Sequence, residues 1–110
     1  MMKLTLKGNV WDKYHLYVGV YILQPGTMNG KNYWIHRSQR FGIWWDPYSE
    51  WMIGTKDRLG YNHGSISGPS GNSNWPIFVK EGWKYYIKKN DAFYSAPTGE
   101  VQFTYYPKES

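Results

Sequence analysis

Twelve glycines and six prolines are spread along this 110-residue chain, and the segments between them are short, aromatic and β-branched. Such punctuation does not support long helices, because Gly costs about 1 kcal/mol and Pro about 3 kcal/mol in a helix interior relative to Ala. The same residues favour turns: Pro presets φ, and Gly or Asn accepts positive φ. The best helix formers are scarce as well, with two Ala and five Leu. The expectation is an all-β chain of many short strands, at least six, with no helix beyond about two turns.

A chain of 110 residues supports one core, so residues 1–110 are expected to form a single β domain, either a small antiparallel sandwich or a partly open barrel. Leu, Ile, Val and Phe total only 21, a level that signals disorder when net charge is high. Here the net charge is +5, and 7 Trp and 11 Tyr supply the large buried area that the aliphatics do not. No apolar run is long enough to span a bilayer, and Lys3 and Lys7 interrupt the N-terminal segment too early for a signal-peptide core, so no membrane insertion is expected. The absence of cysteine removes disulfides, thiolate metal sites and thiol catalysis, and leaves the compartment open. A pI near 9.4 favours anionic partners, although most of the basic residues are scattered lysines of the kind that solvate a surface.

Nine segments read as strands: Leu4 to Val10, Leu16 to Gln24, Asn32 to Arg37, Phe41 to Asp46, Trp51 to Thr55, Gly64 to Ser67, Ile77 to Val79, Trp83 to Lys88 and Glu100 to Tyr106. Pro25-Gly26, Asn29-Gly30, Asp46-Pro47 and Thr98-Gly99 are turn signals, and Gly60 to Asn74 reads as an exposed polar loop. The central strands can be put in register. A three-residue loop at Ser38, Gln39 and Arg40 sets Ile35 opposite Ile43 and Tyr33 opposite Trp45. A loop from Asp46 to Glu50 sets Trp45 opposite Trp51 and Ile43 opposite Ile53. Tyr33, Ile35, Ile43, Trp45, Trp51 and Ile53 are then the expected core, and the other face receives Trp34 across from Trp44, flanked by His36, Gly42 and Met52. Either a strand or loop covers these tryptophans, or Trp34, Trp44 and His36 form an exposed ligand-binding platform, with Gly42 clearing space beside the Trp44 ring.

The span from Gly19 to Tyr86 carries Gly19-Val20-Tyr21, Asn29-Gly30-Lys31-Asn32-Tyr33-Trp34, Ile43-Trp44-Trp45-Asp46, Trp51-Met52-Ile53-Gly54, Pro76 and Trp83-Lys84-Tyr85-Tyr86. This series resembles an aromatic-rich all-β repeat domain of invertebrate and protist modular proteins, with the pattern G-x-Y, N-G-K, I-W-W-D, W-x-I-G and W-x-Y-Y. Many members carry a Cys pair near the loop before the Pro, which this chain lacks. The resemblance implies a β-rich interaction module and brings no catalytic residue with it.

Enzymatic groupings are not visible: there is no G-x-S-x-G elbow, P-loop or G-x-G-x-x-G, and most carboxylates sit beside predicted turns. His15, His36 and His63 have no metal-ligand spacing, so no metal and no cofactor is expected. In Lys80 to Lys89 alternation puts Trp83, Tyr85 and Ile87 on one face and Lys84, Tyr86 and Lys88 on the other. The second face either meets phosphates with Tyr86 stacked on a base, or is a solvated edge strand. The leading functional expectation is a non-catalytic module that binds a protein or peptide through surface aromatics. The alternatives are a carbohydrate-binding module using coplanar rings, and single-stranded nucleic-acid binding.

Overall fold

The computed structural model describes residues 2–6, 16–68, 82–87, 91–96 and 101–105. Among these residues the chain is all-β, with helix limited to 3-10 turns such as Lys56–Arg58. Nine strands lie in one sheet: β1 (Met2–Leu6), β2 (Gly19–Leu23), β3 (Trp34–His36), β4 (Phe41–Trp45), β5 (Trp51–Thr55), β6 (Ile66–Ser67), β7 (Lys84–Ile87), β8 (Ala92–Ser95) and β9 (Val101–Tyr105). The order is β8-β7-β6-β5-β4-β3-β2-β1-β9 and every pairing is antiparallel. The sheet is a meander whose last strand returns to pair with the first, and it curls into a half-barrel, the partly open form of the two expected architectures.

The curl is closed from inside by aromatic contacts between distant strands. Trp83, just ahead of β7, meets Phe103 of β9 with ring centroids 5.5 Å apart. Met2, Leu4, Tyr21, Trp34, Phe41, Ile43, Trp45, Trp51, Ile53, Ile66 and Val101 complete the buried cluster on this concave face. A fully buried Trp or Tyr contributes roughly 4–6 kcal/mol of gross burial free energy, against about 1.5–3 kcal/mol for an aliphatic side chain. Seven strands are therefore pinned by a chain poor in Leu.

The β4–β5 hairpin has the expected register, with Ile43 opposite Ile53 and Trp45 opposite Trp51. The β3–β4 hairpin does not. Trp34 lies opposite Ile43 and Ile35 opposite Gly42, so Trp34 and not Ile35 joins the core cluster, and Tyr33 stays outside it half-buried. The loop holds four residues, Arg37 to Arg40, because His36 and Ser38 build it: the Ser38 N–H donates to His36 Nδ1 (2.9 Å), the Arg40 N–H donates to Ser38 Oγ (3.2 Å), and the Gln39 N–H donates to the His36 carbonyl (2.8 Å) with Gln39 at φ 67°. One extra loop residue turns every β3 side chain to the opposite face.

The sheet also contains a strand the sequence reading did not assign, β8, which follows the Asp91 turn (φ 46°). Of the Gly64 to Ser67 segment only Ile66–Ser67 is strand. The expected strand Ile77 to Val79, His15, the Thr98-Gly99 turn, Pro76, Lys80, Lys88 and Lys89 lie outside the described residues.

Candidate functional site

Trp34 and Trp44, expected side by side, are on opposite faces and both fully buried. Trp34 sits in the concave core, its ring 6.1 Å from that of Trp51. Trp44 points outward, where the loop of residues 56–64 covers it: its indole N–H donates to the Tyr61 carbonyl (3.0 Å). Gly54 makes the fit possible, since a Cβ there would lie 3.0 Å from the Trp44 ring and 3.0 Å from the Gly64 backbone. The space beside Gly42 is filled by Leu59, whose Cδ2 would sit 3.0 Å from a Cβ at that position.

His36 is half-buried with its ring nitrogens turned to its own chain. Nδ1 accepts the Ser38 N–H, so the ring proton resides on Nε2, which donates to the Val18 carbonyl (2.8 Å). Gly19 (φ 126°) allows this approach, because a Cβ there would lie 2.8 Å from Nε2. His36 thus builds the β2–β3–β4 corner, with Tyr21 and Phe41 packed edge-on against it.

The covering loop is held at its distal end by two side chains. Asp46, buried at the end of β4, accepts the Tyr48 and Glu50 N–H groups at 2.9 and 2.8 Å and a hydrogen bond from Asn62 Nδ2. Asn29 donates from Nδ2 to the carbonyls of Trp45 (2.8 Å) and Gly60 (3.1 Å). One carboxylate therefore shapes the β4–β5 turn and fixes the distal part of the loop against the sheet.

Past the loop, the outer face of β5 to β8 opens into a groove of about 390 Å³. Its centre is a row of cross-strand neighbours, Met52, Ser67 and Lys84. Asn62, His63 and Gly64 bound it on the loop side, Tyr86 and Phe93 form an aromatic wall, and Glu50 stands at one end. The Tyr86 and Phe93 rings are 5.2 Å apart and tilted by 54°. Tyr86 donates its hydroxyl to the Asp91 carboxylate, and this bond, aided by partial desolvation and the carboxylate's charge, raises the Tyr86 pKa and keeps the hydroxyl protonated. Phe93 remains 46% exposed.

Sequence alternation placed Lys84 and Tyr86 on the face away from Tyr85, and that is where they lie: Tyr85 pairs with core Ile66 and Lys84 with outward Ser67. Glu50, Ser67 and Phe93 were not singled out as site residues, because they come together only through sheet order. Among the described residues no group of three or more His, Asp or Glu is placed to hold a metal ion, and no helix is long and apolar enough to cross a membrane. No family model matches this chain, and no curated protein or solved structure matches it.

Proposed function

We propose that the domain is a non-catalytic interaction module that takes a peptide segment of a partner protein in the groove on the outer face of β5 to β8. The observation that carries this reading is the groove's composition: Met52 at the centre, the Tyr86–Phe93 wall beside it, and unlike charges on Lys84 and Glu50 at separate points of its lining. Apolar anchors beside placed charges are what selects one peptide segment among many. The 54° tilt of Tyr86 against Phe93 disfavours a sugar ligand, which stacks on coplanar rings. An interaction module is also what the resemblance to the aromatic-rich repeat domain implies.

Selection of a random 12-residue peptide library on the immobilised domain tests the reading. Synthetic copies of enriched peptides are expected to bind, and Phe93→Ala is expected to weaken them at least tenfold without moving the thermal midpoint. A domain that enriches no peptide but captures oligosaccharides on a glycan array would overturn the proposal in favour of the carbohydrate alternative.

A further inference from the structure

We infer that the groove selects a carboxylate, held between the Ser67 hydroxyl at its floor and the Lys84 ammonium beside it, on a ligand whose adjoining apolar group lies against Tyr86 and Phe93. The inference deepens the peptide reading and rests on it for the identity of the ligand.

Ser67 is the starting point. It is 5% exposed, lines the groove, and its side chain has no hydrogen-bond partner among the described residues. Its oxygen is not one of the buried polar atoms left without a partner among the described residues, so it opens to the groove and can donate to a ligand acceptor in place of water. Lys84 determines which acceptor. It is directly across the ladder from Ser67 on the same face, where Cβ atoms are about 4.5–5.5 Å apart, so a hydroxyl and a long ammonium side chain converge on one anion. Lys84 is solvent-exposed and forms no ion pair among the described residues, so its charge is available to a ligand.

Glu50 is the opposing charge, and distance decides against it. It stands two residues along from Met52, which pairs with Ser67 one strand short of Lys84. Strand rise and spacing put the Glu50 and Lys84 Cα atoms about 12 Å apart. That exceeds the Debye length of about 8 Å at physiological ionic strength, so Glu50 weakly repels an anion that Lys84 holds at contact. The tilted aromatic wall lies one ladder step beyond Lys84, where Tyr86 faces Phe93, and receives the apolar group next to the carboxylate.

The carboxylate has two sources in a peptide, an acidic side chain or the chain terminus, and the experiment separates them. Three fluorescein-labelled peptides are titrated against the full chain: Ser-Phe-Glu-Phe-Ser amide, its Gln counterpart, and Ser-Phe-Gln-Phe with a free C-terminus. The Glu peptide is expected to bind at least tenfold tighter than the Gln amide, and more weakly as NaCl rises from about 50 to 500 mM. Lys84→Gln and Ser67→Ala are each expected to collapse the Glu-to-Gln ratio towards one, chiefly through loss of the Glu peptide's affinity. Preference for the free-acid peptide instead assigns the carboxylate to the chain terminus. Equal binding of all three, or a preference that survives Lys84→Gln, overturns the inference. Titration of 3-phenylpropionate against its amide, followed by the amide resonances of Ser67 and Lys84, covers the case in which no peptide binds. Shifts with the acid alone then uphold carboxylate selection and remove the peptide reading, and no shift with either overturns the inference.

Discussion

The two faces of the sheet use the same residue types in opposite ways. On the concave face Trp34, Trp45 and Trp51 pack ring to ring with aliphatic neighbours, and burial itself secures them. On the outer face Trp44 has glycines at Gly42 and Gly54 as its immediate surroundings, and it is buried only because the loop of residues 56–64 folds over it and accepts its indole N–H. A few residues further across the sheet that loop ends, and the same face becomes an open groove. An aromatic on this sheet is core where side chains of the opposing strands reach it, and stands exposed, as Phe93 does, where neither strand nor loop covers it.

The largest test of this contrast is truncation inside the half-barrel. Trp34→Ala is expected to cost about 3–5 kcal/mol in chemical denaturation, as for other buried Trp truncations. Tyr33→Ala, one residue away and half-buried outside the cluster, is expected to cost about 1 kcal/mol. The reverse order would restore the register in which Tyr33 faces Trp45.

A pH titration sharpens the comparison at the next level. Burial, reinforced by Tyr17, raises the pKa of Tyr21, whose hydroxyl donates to the Tyr17 carbonyl (2.6 Å). The unfolded chain releases this proton near pH 10 while the folded chain keeps it, so the stabilisation is intact below pH 10 and falls above it by about 1.4 kcal/mol per pH unit. Urea unfolding at pH 9, 10 and 11 is expected to show that fall, and Tyr21→Phe should remove its share of the slope. A slope unchanged in the variant would place Tyr21 in contact with water.

The smallest effects belong to the groove. Lys84→Gln is expected to change stability by less than about 0.5 kcal/mol, since an exposed charge without an ion pair contributes little. A larger loss would make Lys84 part of the fold and not of a binding surface.

Legibility followed how local the deciding interaction was. The β4–β5 register was readable because Asp46-Pro47 marks the turn and Ile43 and Trp45 meet like partners across it. The β3 register was not, because loop length depends on His36 and Ser38 bonding each other and on Gln39 adopting positive φ, a conformation that sequence does not advertise for Gln. β8 carries no clear sequence signal because Phe93, Tyr94 and Ser95 are all exposed, so no buried-and-exposed alternation marks it as a strand. Trp44 and His36 stand out in the sequence, yet their polar atoms are committed to Tyr61, Ser38 and Val18, partners far away or across a loop.

By itself the sequence determined the class: Gly and Pro punctuation forbids long helices, and aromatics in short β-branched runs stabilise strands wherever they pair. It also determined which residues of β4, β5 and β7 share a face, since alternation is a property of the extended backbone. Only the tertiary structure decided which face is wet. That choice depends on loop lengths, on Leu59 and Tyr61 arriving over Gly42 and Trp44, and on β6 bringing Ser67 between Met52 and Lys84. These are contacts between residues far apart in the chain, and no periodicity within one segment encodes them.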